Sequence, residues 1–239
     1  MAESPGVLRP PHPLAVDAVL FDLDGTLADT APDLAAALNR VRVDRGLAPV
    51  PISDLRSSSS AGARGLIGTG MGVAPDHPDY LTLRDAFLAH YESALCVDTT
   101  LFAEIDAVLG EIETRRLKWG IVTNKATRYT LRLLELMGLH TRPGVVVCGD
   151  TTPHTKPHPA PLLAAAAALD VTPARCVYVG DAERDITAGA AAGMHTIIAR
   201  YGYIDAREEP EAWAADGVIE NPRDLLAWLP VVSRDTRPR

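Results

Sequence analysis

Hydrophobic and polar residues follow different rhythms along the chain. An apolar run over residues 15–21 ends abruptly at Asp22 and Asp24, with a glycine directly after them. A short apolar run bounded by turn residues is typical of a buried β-strand. Between residues 30 and 98, apolar positions recur every three or four residues, which predicts helices. Beyond that stretch, short apolar runs and helical segments alternate.

The predicted elements follow from this pattern. Strands are predicted at residues 15–21, 118–122, 145–148, 176–179, 195–199 and 218–219. Helices are predicted over residues 32–46, from 53 onward, and over 79–95, 103–116, 126–137, 159–169, 183–192, 207–215 and 222–229. The segment 57–72 is rich in serine and glycine, so it is expected to be a flexible loop between helices.

Alternating strands and helices predict an α/β fold with a doubly wound parallel sheet of the Rossmann-like type. Residues 1–29 and 100–239 are expected to form this core, and residues 30–99 a helical domain inserted after the first strand. The ends of the chain, 1–14 and 231–239, are expected to be flexible.

Polar side chains follow three of the predicted strands where those strands end. They are Asp22 and Asp24, then Thr123 and Asn124, then Asp181. In parallel α/β sheets, ligands bind outside the carboxyl ends of the strands. The sequence therefore predicts that these residues converge on one edge of the sheet.

The first two carboxylates suit a metal-dependent site. Residues i and i+2 of a strand point the same way, so Asp22 and Asp24 are expected close together. Two such carboxylates repel each other unless a cation compensates them, and hard oxygen ligands suit Mg²⁺. The alternative is a strand that runs into an acidic turn, since Asp-Gly is common in turns. The apolar strand before the pair favours the functional interpretation.

These residues have the chemistry needed to transfer a phosphoryl group. Asp22 can attack phosphorus and form an aspartyl-phosphate, while Asp24 can protonate the leaving oxygen and then activate water. Asp181 would complete the carboxylates around the metal. Thr123 can donate its hydroxyl to phosphoryl oxygens, and Lys156 can balance the charge that develops in transfer. The alternative for Lys156 is a solvated lysine in a loop.

Two further residues have open roles. Asp185 lies one helical turn after Asp181 and can hold a metal-bound water, orient Lys156, or simply favour the positive end of a helix dipole. Arg64 lies among glycines and small residues. It is either a contact for an anionic or hydroxylated part of a substrate or an ordinary exposed arginine.

Composition narrows the classes of partner. The 239 residues carry a net charge of −8 with a pI near 5.3, and no basic cluster is present. This balance argues against nucleic acid and against an anionic membrane as partners. The three cysteines show no zinc-type spacing, which fits buried thiols in a reducing compartment. No stretch resembles a signal peptide or a membrane span, so a soluble cytoplasmic protein is expected.

Four motifs occur in a fixed order along the chain. They are Asp22-Leu23-Asp24-Gly25-Thr26-Leu27, Ile121-Val122-Thr123-Asn124, Lys156-Pro157-His158-Pro159 and Gly180-Asp181-Ala182-Glu183-Arg184-Asp185. Together they resemble the motifs of the haloacid dehalogenase-like hydrolase superfamily. The helical segment 30–99 is similar to the cap domain of its phosphatase and phosphomutase subgroups.

The resemblance implies a role for each motif. Asp22 would be the nucleophile and Asp24 the general acid and base. Thr123 and Lys156 would bind the phosphoryl group. Independently of the resemblance, the amides that follow Thr123, at Asn124, can also donate to it. Mg²⁺ would be held by Asp22, Asp181 and the backbone carbonyl of Asp24. The partner would be a small phosphate ester, and the protein a monomer or a homodimer.

Within the superfamily the chain resembles two related groups of phosphatases. Stretches 61–66, 119–125 and 200–204 favour the phosphatases of N-acetylmuramic acid 6-phosphate, which act in peptidoglycan recycling, over the phosphoglycolate phosphatases. A sugar phosphomutase is a more distant alternative. A dehalogenase needs no Mg²⁺ site, and a phosphoacceptor module needs no cap, so both are disfavoured. One departure is Glu104, where such proteins often carry glycine.

Overall fold

A six-stranded parallel sheet forms the centre of the protein in a computed structural model that describes residues 12–230. Its strands are β1 (Ala18–Phe21), β4 (Lys118–Val122), β5 (Val145–Val147), β6 (Cys176–Gly180), β7 (His195–Ala199) and β8 (Gly217–Ile219). Their order is β5-β4-β1-β6-β7-β8, which places β1 between β4 and β6. The predicted α/β class with a parallel sheet is confirmed, and only the first strand begins clearly later than expected.

Eight α-helices surround or extend this sheet within the described residues. They are α1 (Ala31–Asp44), α2 (Ile52–Leu55), α3 (Gly62–Met71), α4 (Tyr80–Ser93), α5 (Ile105–Thr114), α6 (Thr127–Leu136), α7 (Ala160–Ala168) and α8 (Glu183–Ala191). None of these helices has the length and apolar character required to cross a lipid bilayer.

Strand β1 is buried on both faces, because the sheet is covered by helices on both sides. Ala18 and Leu20 belong to an apolar core shared with α7, whereas Val19 and Phe21 belong to a larger core shared with α5 and α6. Alternate residues of one short strand therefore stabilise two separate cores. Packing on both faces therefore fixes the end of β1, and with it Asp22, which follows directly, in the middle of the molecule.

The helices α1 to α4 lie between two short strands that the sequence did not reveal. β2 (Ala28–Asp29) pairs antiparallel with β3 (Thr100–Leu101) at the base of this segment. The buried carboxylate of Asp33 accepts hydrogen bonds from the backbone N–H groups of Val97, Asp98 and Thr99, at 2.9 to 3.1 Å. Residues 30–99, called the insert below, are thereby closed at their base.

The expectation of a flexible loop at 57–72 is wrong. Residues Ser57–Ala61 form a 3₁₀ turn and Gly62–Met71 form helix α3. Leu66 and Ile67 are fully buried, and a Cβ on Gly70 would clash with the side chain of Leu38 in α1. The glycine therefore allows two helices to approach closely, a role that its count in the sequence did not reveal.

The helices predicted at 207–215 and 222–229 are also wrong in type. The structure has 3₁₀ turns at Pro210–Trp213 and Pro222–Ala227 instead. Such turns are typical connectors of a few residues. Of the predicted flexible ends, residues 1–11 and 231–239 lie outside the described residues. Leu14 is already attached to the core through a hydrogen bond from its N–H to the carbonyl of Trp228.

The departure noted at Glu104 coincides with an unusual backbone conformation. Glu104 precedes α5 with φ of +67°, in the left-handed region that glycine adopts most easily. The chain therefore retains the conformation while using a residue less suited to it. The Glu104 side chain lies 3.5 Å from the guanidinium of Arg223.

Candidate active site

The loop after β1 brings the first two motif carboxylates to the edge of the sheet. Asp22 is buried, and its Oδ1 accepts a hydrogen bond from the N–H of Leu23 at 2.8 Å. Gly25 has a φ of +86°, and a Cβ there would clash with the carboxylate of Asp181. Only glycine therefore lets the chain turn here while Asp181 stays beside Asp22.

Three carboxylates converge at this edge. Asp22, Asp181 and Asp185 each place a carboxylate oxygen within 4.8 Å of the others, and all three are buried. Asp181 accepts hydrogen bonds from the hydroxyl of Thr26 at 3.1 Å and the N–H of Tyr203 at 2.9 Å. Burial, with the nearby charges of Asp22 and Asp185, raises the pKa of Asp181 to about 7.

This donor set fits a hard divalent cation. No lysine or arginine pairs with Asp181 among the described residues, although its neighbours are also acidic. Burial first, and then repulsion from these acidic neighbours, raises the pKa of Asp181. Clustered carboxylate oxygens are the ligands that Mg²⁺ prefers, so the residues present suit such an ion.

Lys156 lies at the centre of the site rather than in solvent. Its side chain is 0% exposed, and Nζ is 2.9 Å from Asp22 and 2.7 Å from Asp185. The ammonium also donates to the hydroxyl of Tyr178 at 2.7 Å and to the carbonyl of Val122 at 3.0 Å. The alternative of a solvated loop lysine is therefore wrong.

Asn124 fixes the backbone of Lys156. The Asn124 amide donates to the Lys156 carbonyl and accepts from the Lys156 N–H, both at 2.9 Å. Its side chain is thus committed to holding the lysine loop. Thr123 is buried at the end of β4, and its hydroxyl oxygen accepts the N–H of Lys125 at 3.1 Å. Both residues line the same cavity as Asp22.

Asp185 contacts both Lys156 and the N-terminal end of a helix, so the structure is consistent with two of the three roles considered for it. One carboxylate oxygen contacts Nζ of Lys156, and the other accepts the N–H of Ala182 at 3.1 Å, just before α8. An acid at this position also favours the positive end of the helix dipole. The same carboxylate therefore stabilises α8 and orients Lys156.

Asp24 is separate from the group of three acids. Its Oδ1 lies 2.8 Å from Nζ of Lys125 and 2.6 Å from the hydroxyl of Thr30. The repulsion expected between Asp22 and Asp24 is thus met by two lysines, one for each carboxylate. Burial alone would lower the pKa of Lys125, but the carboxylate of Asp24 raises it above its usual value.

The balance at Asp22 is less complete. Burial raises the pKa of Asp22, the ammonium of Lys156 lowers it, and the carboxylate of Asp185 raises it, with a net increase. One buried ammonium therefore does not fully offset the three clustered acids. A further positive charge at this position would favour the ionised form that a nucleophile requires.

A cavity of about 600 Å³ opens above these residues. One side is formed by the strand ends of the core, and the other by the insert, including residues 59–64 with Arg64. Arg184 bridges the two sides, because its guanidinium donates to the carbonyl and hydroxyl of Ser60 at 2.7 and 2.8 Å. Arg64 and Arg128 also line the cavity, and both are exposed.

Sequence reasoning assigned no role to Lys125, Arg184 or Tyr178. Arg184 stands inside the fourth motif beside Glu183 and Asp185, and Lys125 directly follows the second motif, so their positive charges were usable signals. Tyr178 offered none, because a tyrosine in an apolar strand is usually a core residue. Its contact with Lys156 depends on β6 lying beside β1, which only the sheet order shows.

The fold and the site together define a class of protein. The family model described as haloacid dehalogenase-like hydrolase matches residues 19–199. The chain belongs to that family, and it is a phosphatase that hydrolyses phosphoric monoesters.

Particular relatives narrow the comparison. N-acetylmuramic acid 6-phosphate phosphatase of Pseudomonas aeruginosa is 39% identical over 213 residues, which cover 89% of this chain and 94% of that protein. Phosphoglycolate phosphatase of Xanthomonas campestris pv. campestris is 42% identical over 217 residues, covering 89% and 95%. The crystal structure of a predicted phosphoglycolate phosphatase from Haemophilus somnus 129pt shares the fold, with a TM-score of 0.76, 24% identity and coverage of 89% and 97%.

Proposed function

We propose that the protein is a Mg²⁺-dependent phosphatase that acts through an aspartyl-phosphate on Asp22. The observation that carries this proposal is the buried arrangement in which Lys156 lies 2.9 Å from Asp22, beside Asp181 and Asp185. A carboxylate with a fixed ammonium neighbour in a buried site is suited to attack phosphorus.

In the first step, a carboxylate oxygen of Asp22 forms a bond to phosphorus and the bond from phosphorus to the ester oxygen breaks. Oδ1 of Asp22 already accepts from Leu23 and contacts Lys156, which leaves Oδ2 for the attack. Asp24 gives its proton to the departing oxygen. In the second step, Asp24 takes a proton from water, water bonds to phosphorus, and the bond from phosphorus to Asp22 breaks.

The metal would be held by Asp22, Asp181 and the backbone carbonyl of Asp24. When bound, Mg²⁺ supplies positive charge next to the phosphoryl oxygens. Lys156 adds a second positive charge on the protein side. The hydroxyl of Thr123, whose oxygen accepts the N–H of Lys125, can donate to a phosphoryl oxygen. Asp185 holds Lys156 in place through their 2.7 Å contact.

We propose N-acetylmuramic acid 6-phosphate as the substrate, with residues 30–99 acting as the cap that selects it. The cavity of about 600 Å³ has room for a sugar as well as a phosphate, and Arg64 and Arg128 suit a carboxylate on the leaving group. The relative from Pseudomonas aeruginosa carries the name of this activity. Phosphoglycolate is the second candidate, because it also carries a carboxylate and the relative from Xanthomonas campestris is named for it.

The test is phosphate release by the purified protein from N-acetylmuramic acid 6-phosphate, 2-phosphoglycolate and hexose phosphates, compared by kcat/KM. The highest value is expected for the first ester, with activity lost in EDTA and restored by Mg²⁺. Asp22→Asn should lower turnover by at least about 10³-fold, because an amide cannot attack phosphorus. Wild-type turnover in that variant, with the fold intact by circular dichroism, contradicts the covalent route. A preference for 2-phosphoglycolate would reassign the substrate alone.

A further inference from the structure

The carboxylate of Asp24 is held by one of its two oxygens. Oδ1 accepts hydrogen bonds from the ammonium of Lys125 at 2.8 Å and from the hydroxyl of Thr30 at 2.6 Å. Within residues 12–230, Oδ2 has no hydrogen-bond donor. The two oxygens therefore have different surroundings, and only Oδ2 is free to exchange a proton with a bound molecule.

Lys125 is itself fixed in place. Its side chain is 9% exposed, and its N–H donates to the hydroxyl oxygen of Thr123. Nζ lies 4.7 Å from the centre of the Tyr91 ring, a distance at which a cation is attracted to an aromatic face. Tyr91 belongs to α4 of the insert and packs against Tyr129 at 5.9 Å between ring centres. A lysine restrained by the core and by the insert cannot swing freely.

We infer that Lys125 is a positioning residue for proton transfer by Asp24: its ammonium anchors Oδ1 so that Oδ2 faces the oxygen of the leaving group. This inference rests on the proposed function, in which Asp24 is the acid. Lys125 does not contact the reacting atoms in this role. It differs from Lys156, whose ammonium contacts the nucleophile Asp22 and not Asp24.

One alternative for Lys125 is binding of an anion on the leaving group; in that case the losses from the Lys125 and Asp24 variants would add in the double variant described below. The other alternative, compared first with the positioning role, is direct binding of the phosphoryl group. The two roles differ in their dependence on the leaving group. A poor leaving group, such as the alkoxide of a sugar, needs a proton as it departs, whereas p-nitrophenolate departs without one. Loss of a positioning residue should therefore affect only esters of the first type, and loss of a phosphate-binding residue should affect both.

The experiment compares kcat/KM for two esters, because this parameter reports on the step in which the leaving group departs. The esters are p-nitrophenyl phosphate and whichever of N-acetylmuramic acid 6-phosphate and 2-phosphoglycolate is turned over. Lys125→Met is expected to lower kcat/KM about 100-fold for the alkyl ester, as is typical when general acid catalysis is lost. The value for p-nitrophenyl phosphate should change little.

Two further variants show whether Lys125 acts through Asp24. Asp24→Asn should have the same selective effect, and the double variant should be no slower than Asp24→Asn, because a positioning residue adds nothing once its target is gone. Arg132→Met removes a positive charge from the exposed face of the neighbouring helix α6 and should leave both values unchanged. Lys125→Gln, which keeps a donor of similar length, should show a smaller selective loss and serves if the methionine variant does not fold.

Equal losses on both esters in the Lys125 variants would overturn the inference in favour of phosphate binding, and unchanged values on both would show that Lys125 has no part in the reaction. If Asp24→Asn itself affects both esters equally, the acid role of Asp24 in the proposed function is wrong. That result is distinct from a failure at Lys125, since it appears in the aspartate variant alone.

Discussion

The edge of the sheet and the insert that faces it are built in opposite ways. At the sheet edge, Lys156 has no exposed side-chain surface and contacts four polar partners. Across the cavity, Arg64 is exposed and makes no ion pair within the described part of the chain. Buried, fully bonded groups keep one geometry, whereas an exposed arginine can adapt to different ligands. This contrast supports the proposal that the core carries out the chemistry and that the insert selects the leaving group.

The contacts that join the insert to the core also differ from place to place. The base of the insert is closed tightly by the Asp33 carboxylate and by the β2–β3 pair. Elsewhere the insert contacts the core both through apolar packing, as between Tyr91 and Tyr129, and through polar contacts, among them Arg184 with Ser60 and the Ser57 hydroxyl with Asp205 at 3.1 Å. Polar contacts of this type exchange readily with water. The insert is thus anchored at its base, and the polar contacts are the ones that can be replaced by water.

Among the positively charged residues of the two regions, the largest effect is expected from removing the buried ammonium of Lys156. Lys156→Met should lower kcat/KM by about 100-fold or more, because a fixed positive charge beside the reacting group is lost. It should also lower the free energy of unfolding by about 3–5 kcal/mol, since it leaves the carboxylates of Asp22 and Asp185 buried without their cation. Phosphate release and urea unfolding measure the two effects.

Lys118→Met is the matched control for that change. Lys118 is exposed at the start of β4, and its ammonium bonds only to the carbonyl of Leu169 among the described residues. Its loss should alter neither activity nor stability by much. Similar effects of the two substitutions would contradict the central place given to Lys156.

A second prediction concerns the dependence of Mg²⁺ binding on pH. Mg²⁺ requires an ionised carboxylate, and the pKa of Asp181 is raised to about 7 by burial and by Asp22. Below that pH the ion must displace a proton, so affinity should fall by about tenfold per pH unit and level off above it. Titration calorimetry of the Mg²⁺ complex between pH 5.5 and 8 measures this.

The raised pKa of Asp181 also makes the stability of the metal-free protein depend on pH. The unfolded chain releases this proton near pH 4, but the folded, metal-free protein keeps it to about pH 7. The contribution of Asp181 to stability is therefore fully present below pH 4 and is lost as the pH rises to 7. Mg²⁺ should consequently raise the Tm more at pH 8 than at pH 5.5. An equal increase at both values contradicts the raised pKa.

The smallest effect is expected in the insert. Arg64→Ala should raise KM about tenfold for a substrate that carries a carboxylate, because one charge-assisted hydrogen bond is lost. For p-nitrophenyl phosphate, which has no such group, KM should stay the same. Arg84→Ala, at an exposed arginine of α4 that pairs with Asp85, is the control. If Arg64→Ala raises KM equally for both esters, Arg64 does not bind the carboxylate of the leaving group.

Much of the core was predictable because its signals are local. A buried strand needs a continuous apolar run, and the turn that follows needs glycine. The positions of β1, Asp22 and Gly25 could therefore be predicted from the sequence. Helix α3 could not be predicted, because its many glycines are typical of a loop. The close approach of Gly70 to Leu38, which explains one of them, is known only from the structure. A glycine count indicates backbone freedom and says nothing about close packing.

The same distinction, between local sequence signals and contacts that depend on packing, applies to the candidate active site. Residue types and their positions after the strands predicted that carboxylates, a hydroxyl and an amide would meet at one sheet edge, since parallel strands end together. For Lys156, which lies in a loop, the alternative of a solvated lysine stayed open until the structure was known. Which cation serves which acid was decided by the folded structure alone: Lys156 reaches Asp22 and Asp185, while Lys125 reaches Asp24. Pairing of this kind depends on distances between residues far apart in the chain, and those distances arise only when the sheet order and the packing of the insert are in place.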